Sequence, residues 1–331
     1  MAKKTKKYKL QILIPQYNET DEEVKPLLDS IAIQQNVDFD EIGVIIVNDG
    51  SDTFLSDDML NSYEYDVQYF KEEHRGVSGT RNACLDHSTA TYVMFCDADD
   101  MFYNACGLWM MFREMEVGFD SMVSAFVEET RDKDGEVVYI NHEIDSTFVH
   151  GKLHRRKYLL NNNIRWNDEL TIHEDSYFNC LCQKLSTNVK YCQTPFYLWR
   201  WRDNSVCRHD EKYILKTFNN MLDSNTALVK EFLRRKKEAE AKFYATSMIF
   251  DSYFTLNKKE WIDQENQEYR KNVELRFKKY YDDFEYLFNS IDESIKQQII
   301  VGIKNRMYGE GMFMEEITFN DWIKHIKDLK E

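Results

Sequence analysis

Two aspartates, Asp97 and Asp99, follow an apolar run at residues 92–96. Because side chains alternate along an extended strand, both carboxylates are expected on one side where that strand ends. Two close carboxylates repel each other unless a cation lies between them or one of them is protonated. Hard divalent ions prefer such oxygen ligands and often complete their coordination with substrate phosphates. The pair therefore indicates Mg²⁺ or Mn²⁺ held against a diphosphate. The alternative is an acidic turn in which Asp100 or Asn104 caps the next helix.

Two earlier loops carry side chains that suit a nucleoside. The first follows residues 10–14 and contains Tyr17, whose ring offers a face to a base. The second contains Asp49, whose carboxylate can accept a ring N–H, although its N-D-G-S sequence taken alone is also a plain turn. A third element, residues 74–82, is a glycine-containing turn that leads into a helix. Its Arg81 can donate two hydrogen bonds to a phosphate or a carboxylate.

Short apolar runs alternate with helical patterns through the N-terminal half of the chain. This order predicts an α/β domain whose parallel sheet is covered on both faces, with ligands outside the carboxyl ends of the strands. The predicted strands are residues 10–14, 42–47, 67–70 and 92–96, and the predicted helices are residues 22–35 and 77–87.

Glycine placement separates the two halves of the chain. Eight of the 11 glycines lie at or before Gly151, and none occurs again until Gly302. From about residue 152 the pattern is therefore predicted to be helical, with a short break near residues 188–203. We divide the chain into a domain at residues 1–210 and a helical C-terminal subdomain at residues 211–331.

Composition excludes several classes of protein. The chain has 331 residues, 43% of them hydrophobic, and a net charge of -15, so a wide basic surface for nucleic acid is not expected. The seven cysteines form no C-x-x-C pair, which favours reduced thiols in a cytoplasmic protein. No apolar run approaches the roughly 20 residues needed to cross a bilayer, and we identify no signal peptide.

Four sequence patterns of the N-terminal half together resemble family 2 glycosyltransferases with the GT-A fold. The resemblance is close over residues 9–103 and implies a Rossmann-like mixed, mainly parallel sheet flanked by helices. Gln16, Asn48 and Cys84 stand where the family commonly has Thr or Ala, Asp, and Gly, and none of these departures removes a charged ligand. The patterns are P-x-Y-N-E at residues 15–19, V-x-D-G-S at 47–51, G-x-x-x-x-R-N at 76–82 and D-x-D at 97–99.

The resemblance also implies roles for individual side chains around a nucleotide-sugar donor. Arg81 is expected to support the phosphates or the metal-binding loop. The implied donor-binding set is Pro15, Tyr17, Glu19 and Asp49 around the nucleoside, and Asp97, Ala98 and Asp99 along the ribose, sugar and metal.

Downstream, Glu174 and Asp175 match the acidic pair that the family places at the start of a helix, with the aspartate as catalytic base. The alternative is that both residues only complement the helix N-terminus. Arg202 and Ser205 resemble the Y-x-R-x-x-x-S segment that lies near the diphosphate in the family. His209 is a candidate third metal ligand or an uncommitted surface histidine.

The implied activity is metal-dependent transfer of a sugar, with inversion, from a nucleotide-diphosphate sugar to an acceptor hydroxyl. The expected donor is a UDP-sugar, the metal Mn²⁺ or Mg²⁺, and the acceptor a saccharide or cell-surface polymer. The helical subdomain would then serve the acceptor side or oligomerisation. One alternative is a sugar transferase acting on modified nucleic acid through the basic clusters at residues 152–157 and 234–237. Another is a non-catalytic module that binds sugar nucleotides.

Overall fold

The computed structural model describes residues 7–202, 213–258, 267–309 and 317–330, with side chains from residue 217 onward in the second range. The chain divides into two compact units, residues 1–206 and 207–331. The first unit is built on a mixed sheet, and the described part of the second is mainly helical.

The sheet of the first unit has nine strands among the described residues, in the order β3-β2-β1-β4-β8-β6-β9-β5, with β7 paired to β6. The first four strands in this order are mutually parallel, as the sequence predicts, whereas β8, β5 and β7 pair antiparallel. The strands are β1 (Leu10–Gln16), β2 (Ile42–Asp49), β3 (Asp66–Glu72), β4 (Tyr92–Phe95), β5 (Met101–Phe102), β6 (Ser121–Arg131), β7 (Val137–His142), β8 (Lys152–Arg155) and β9 (Val189–Trp199).

The central strands are buried on both faces, which explains their nearly continuous apolar sequences. Parallel pairing sets Leu13 beside Ile45 on one side and Phe95 on the other. Their carboxyl ends consequently meet at one edge of the sheet. The loops that follow β1, β2 and β4 therefore start from a shared, rigid base.

Six α-helices flank this sheet. The first begins with a reciprocal capping box between Thr20 and Glu23 and buries Val24, Leu28 and Ile31 against the core. The helices are α1 (Asp21–Ala32), α2 (Asp57–Leu60), α3 (Gly76–His87), α4 (Gly107–Val117), α5 (Arg156–Asn161) and α6 (Glu174–Lys184).

The prediction of a helical pattern from residue 152 is wrong for β8, whereas β9 falls in the predicted break near residues 188–203, which was not identified as a strand. Four residues, Lys-Leu-His-Arg, form β8 because they lie between β4 and β6, and so short a polar segment carries no readable period. The 11-residue β9 includes Pro195 and shifts register against β6 near Ser124, which obscures its alternation. Tertiary pairing therefore decides both strands.

The second unit consists of helices around an aromatic core. Trp322 is fully buried and lies against Phe277, with ring centroids 4.8 Å apart. None of the helices in the described ranges is long and apolar enough to cross a membrane. The helices are α7 (Tyr213–Arg234), α8 (Glu238–Leu256), α9 (Gln267–Ser290), α10 (Glu293–Gly309) and α11 (Phe319–Asp328).

Candidate active site

The loop after β2 positions Asp49 at the N-terminus of α3. The buried Asp49 carboxylate accepts a hydrogen bond of 2.6 Å from the backbone N–H of Arg75, and its second oxygen lies 3.0 Å from Nδ1 of His74. The rings of His74 and the exposed Tyr17 lie 4.8 Å apart between centroids. The candidate nucleoside residues Tyr17 and Asp49 are therefore brought to one place, with His74 between them, a neighbour that the sequence analysis did not single out.

The loop after β1 is fastened to the loop after β2. The side-chain amide of Asn48 donates a hydrogen bond of 2.5 Å to Oε1 of Gln16. The backbone N–H of Asn18 donates a hydrogen bond of 2.9 Å to the Ser51 hydroxyl. Pro15 lies at the end of β1, immediately before these contacts. The two departures from the family pattern, Gln16 and Asn48, thus pair with each other across the strands.

Glu19 ends this first loop in a largely buried position. Its carboxylate accepts a 2.6 Å hydrogen bond from the backbone N–H of Tyr17. Burial raises the pKa of Glu19 to about 7, and the nearby charge of Asp99 contributes in the same direction. The loop after β1 therefore ends in an acidic residue whose pKa lies near neutrality.

Arg81 on α3 joins two distant parts of the chain. Its Nη2 donates a hydrogen bond of 2.8 Å to Asp97, which follows β4. Its Nη1 donates a hydrogen bond of 2.9 Å to Glu174 in the first turn of α6. The side chain is only 5% exposed, and its guanidinium lies 4.4 Å from the Trp166 ring centroid. Of the two expected roles of Arg81, this geometry favours support of the acidic loop over contact with phosphate.

The acidic loop itself is a tight turn, in which the backbone N–H of Asp100 donates to the carbonyl of Asp97. Ala98 within the turn is buried, while the carboxylates of Asp97 and Asp99 are 32% and 21% exposed. Burial raises the pKa of Asp97, but the charge and hydrogen bond of Arg81, together with the charges of His150 and Arg202, hold the pKa below its usual range. Burial, followed by the charge of Asp97, raises the pKa of Asp99.

Asp100 is a supporting residue rather than a helix cap. One of its carboxylate oxygens accepts a hydrogen bond of 2.5 Å from the Tyr197 hydroxyl. The other accepts a hydrogen bond of 2.9 Å from the backbone N–H of Arg200. Tyr197 in turn accepts a hydrogen bond from the backbone N–H of Asp97. Strand β9 therefore braces the acidic loop. Asn104 bonds the backbone N–H of Cys106 at the start of α4.

Arg202 is the second arginine at this loop. Its Nη1 donates a hydrogen bond of 2.9 Å to Oδ2 of Asp99, and its Nη2 donates one of 2.9 Å to Oε1 of Glu23 on α1. Arg202 therefore bonds the predicted metal ligand Asp99, and its Nη1 lies 3.8 Å from Oε1 of Glu19, one of the predicted nucleoside residues. The candidates Ser205 and His209 lie outside the described residues.

The candidate metal ligands suit a hard divalent cation, because the partly exposed Asp97 and Asp99 both offer carboxylate oxygen. In the described ranges, one group of candidate ligand atoms lies within 4.8 Å, from Asp97, Asp100 and His150. His150 is buried and stacks on Tyr197, and its Nδ1 lies 3.8 Å from Asp100. The sequence analysis missed His150 because no pattern marks it.

Asp175 lies in the first turn of α6, beside Glu174. One carboxylate oxygen accepts 2.7 Å from the backbone N–H of Ser176. Burial, followed by repulsion from Glu174, raises the pKa of Asp175 to about 7. His173, which caps this helix, has a positive φ of 64°, so the chain turns sharply into the acidic pair. A carboxyl group with this pKa can exchange protons at neutral pH.

The sequence of the first unit also matches the model of a known family. The model of Glycosyl transferase family 2 matches residues 11–178, just over half of the chain. The chain belongs to this family. It is therefore identified as a glycosyltransferase domain, which confirms the family predicted from the four sequence patterns.

Several glycosyltransferases are similar to part of this chain. Glycosyltransferase GlyA of Streptococcus pneumoniae is 27% identical over 60% of this chain, and the chain spans 32% of its length. Minor teichoic acid biosynthesis protein GgaB of Bacillus subtilis is 30% identical over 30% of the chain, which spans 11% of its length.

The fold also matches solved structures. The crystal structure of S. aureus TarS 1-349 in complex with UDP has a TM-score of 0.62 and 16% identity, with 94% of each chain covered. The complex of TarS 1-349 with UDP-GlcNAc has a TM-score of 0.59 and covers 92% of each chain. The predicted GT-A fold with a helical C-terminal region is confirmed.

Proposed function

We propose that this family 2 glycosyltransferase transfers a sugar from a UDP-sugar to an acceptor hydroxyl, with a divalent metal and with inversion at the anomeric carbon. The observation that carries the proposal is the bridge by Arg81, which ties Asp97 in the acidic loop to Glu174 beside Asp175. A donor-binding loop and a candidate base are thereby held in one site.

The chain's own groups divide the work in this proposal. Tyr17 and Asp49 bind the nucleoside, and Asp97 with Asp99 binds the cation and the sugar. A bound Mn²⁺ or Mg²⁺ supplies positive charge against the leaving diphosphate. Asp175 accepts the proton of the acceptor hydroxyl, for which its pKa of about 7 is suited.

The choice of donor and acceptor is supported by the relatives. The TarS structures contain UDP and UDP-GlcNAc, so UDP-GlcNAc is the first donor to test. The name of GgaB refers to teichoic acid biosynthesis, which supports a saccharide or cell-surface polymer as acceptor. Residues 211–331 are proposed to shape the acceptor side or an oligomer interface, and the reaction is proposed to take place in the cytoplasm.

The direct test is release of UDP without acceptor. Purified protein with Mn²⁺ is incubated with UDP-GlcNAc, UDP-glucose, UDP-galactose and GDP-mannose as separate donors. We expect slow release from at least one UDP-sugar and loss of release with EDTA. Absence of both release and UDP binding would overturn the proposal, whereas UDP binding without turnover would favour the non-catalytic module.

Inversion is tested on the released sugar. If water replaces the acceptor, NMR at early times should detect the anomer opposite to that of the donor, before mutarotation equilibrates the two. Detection of the donor's own anomer first would contradict a single displacement with Asp175 as base.

Burial and ion pairing of the basic residues both argue against the nucleic-acid alternative. Lys152 and His154 in the cluster at residues 152–157 are both buried in β8. In the second cluster, Arg234 and Arg235 both pair with Glu231. Acceptor binding that falls steeply between low and moderate salt would revive this alternative.

A further inference from the structure

We propose that Arg202 holds the position on Asp99 that a divalent cation requires, so that the metal binds well only when a nucleotide diphosphate draws Arg202 away. This inference rests on the proposed function. It makes Arg202 a positioning residue that couples metal binding to nucleotide binding.

The contacts of Arg202 place its positive charge among carboxylates. Nη1 bonds Oδ2 of Asp99 at 2.9 Å and lies 3.8 Å from Oε1 of Glu19, while Nη2 bonds Glu23 at 2.9 Å. A guanidinium in this position neutralises the same oxygen atoms that a cation would use. The guanidinium and the metal therefore weaken each other's binding to the Asp99 carboxylate, because two positive charges at this separation repel.

Arg81 and Arg202, the two arginines whose guanidinium groups bond carboxylates of the acidic loop, differ in how firmly they are held. Arg81, 5% exposed, is enclosed between Asp97, Glu174 and the Trp166 ring. The side chain of Arg202 is 35% exposed and follows the last residue of β9 by three positions. Movement of Arg81 would leave the partly exposed Asp97 and the largely buried Glu174 without this guanidinium, whereas movement of Arg202 exchanges partly solvated ion pairs with Asp99 and Glu23.

A nucleotide diphosphate offers Arg202 a replacement partner. Guanidinium groups bind phosphate oxygens through two parallel hydrogen bonds, which are stronger than bonds to a neutral acceptor. When Arg202 turns to the diphosphate, Asp99 becomes available to the cation. Linkage then requires that the cation raise nucleotide affinity by the same factor by which the nucleotide raises cation affinity.

The test measures Mn²⁺ affinity by the electron paramagnetic resonance signal of free Mn²⁺, at fixed ionic strength, with and without saturating UDP. For Arg202→Gln without UDP we expect Mn²⁺ to bind at least about tenfold more tightly than to wild type, because the guanidinium that occupies the Oδ2 atom of Asp99, the oxygen offered to the cation, is removed. UDP should then increase the Mn²⁺ affinity of wild type more than that of the variant.

Two further variants serve as controls. Arg202→Lys keeps the charge and should retain wild-type Mn²⁺ affinity within about threefold. Arg200→Gln removes the same charge from a neighbour that bonds the backbone carbonyl of Asp99 rather than its carboxylate. It should also change Mn²⁺ affinity by less than about threefold.

The inference fails if Arg202→Gln binds Mn²⁺ without UDP no more tightly than wild type, or if Arg200→Gln shows the same gain. Release of UDP from a sugar nucleotide is measured on the same wild-type preparation. Activity with no effect of Arg202→Gln on Mn²⁺ would overturn this inference alone. A wild type that neither binds UDP nor consumes any donor would overturn the proposed function, and with it the basis of the coupling.

Discussion

Glu174 and Asp175 are consecutive acidic residues in one helical turn, yet they have different partners. Glu174 accepts a hydrogen bond of 2.9 Å from the Arg81 guanidinium, whereas Asp175 accepts one of 2.7 Å from the backbone N–H of Ser176. Burial, followed by the charge of Glu174, raises the pKa of Asp175 to about 7, although the nearby charge of Arg81 lowers it. The pair thus separates into a structural carboxylate and a carboxylate suited to proton transfer.

The first prediction concerns Asp175→Asn. The change keeps the side chain's size but removes the base, so we expect turnover to fall by about 10²–10⁴-fold while UDP affinity stays within about threefold. Isothermal titration with UDP and a transfer assay measure the two effects. Glu169→Gln, an exposed change in the loop before α6, is the control and should leave both nearly unchanged. An equal loss of UDP affinity in Asp175→Asn would contradict the assigned role.

The second prediction concerns pH. Burial and the charge of Glu174 raise the pKa of Asp175 to about 7, and the active form is the deprotonated one. The value of kcat/KM should therefore rise about tenfold per pH unit below pH 7 and level off above it. Residual activity of Asp175→Asn should lack this rise. A profile that stays flat from pH 5.5 to 8 would exclude Asp175 as the titrating group.

The third prediction separates metal binding from the rest of the site. Asp99→Asn removes one of the proposed carboxylate ligands, so the proposed gain in UDP affinity from Mn²⁺ should shrink at least about tenfold. Titration of UDP with Mn²⁺ and with EDTA gives that gain directly. Asp52→Asn removes an equal charge from an exposed position in the neighbouring loop and should preserve it. Equal behaviour of the two variants would place the cation elsewhere.

The fourth prediction concerns the buried bridge. Lysine lacks the planar fork by which Arg81 bonds Glu174 and Asp97 through two separate nitrogens, so Arg81→Lys should lower the free energy of unfolding by ~1.5–3 kcal/mol, the worth of one charge-assisted hydrogen bond. Urea unfolding measures the loss. The control is Arg75→Lys, whose arginine is exposed and lies 3.9 Å from Glu72; less than ~0.5 kcal/mol is expected. Equal small losses would show that Arg81 does not hold the two elements together.

The fifth prediction uses glycine geometry. Gly50 has a φ of +67°, and a Cβ there would lie 2.8 Å from the backbone nitrogen of His74. Gly50→Ala should therefore cost more than the ~1–2 kcal/mol of a left-handed alanine and should weaken UDP binding through Asp49. The control is Gly135→Ala. Gly135 has a φ of +81° with open space around it, so this change should lower the free energy of unfolding only by the cost of a left-handed alanine. Unfolding midpoints that fall equally in both would contradict the close contact.

The N-terminal part of the fold was predictable because its elements are local. The strands at β1, β2, β3 and β4 were predicted within three residues at each end, since buried parallel strands have continuous apolar runs. Strands β8 and β9 were not, because their pairing with β4 and β6 is set by residues far away in sequence. Local pattern carries no information about such partners.

The site divides in the same way. Asp97, Asp99 and Asp175 were identifiable from spacing and resemblance, and their roles stay predictions. The hydrogen bond from Tyr197 to Asp100 joins residues 97 positions apart, and that from Arg202 to Asp99 joins residues 103 apart. No periodicity encodes these pairs, because each depends on how β9 packs beside the acidic loop.

The bracing of the acidic loop by β9 has a consequence for synthesis. A ribosome has made the D-x-D sequence about a hundred residues before it makes Tyr197 and Arg202, the side chains that bond Asp100 and Asp99. A nascent chain that ends before β9 therefore lacks both contacts. Donor recognition should first arise after residue 202 has emerged, so fragments that stop short of it should fail to bind UDP even if their first four strands have folded.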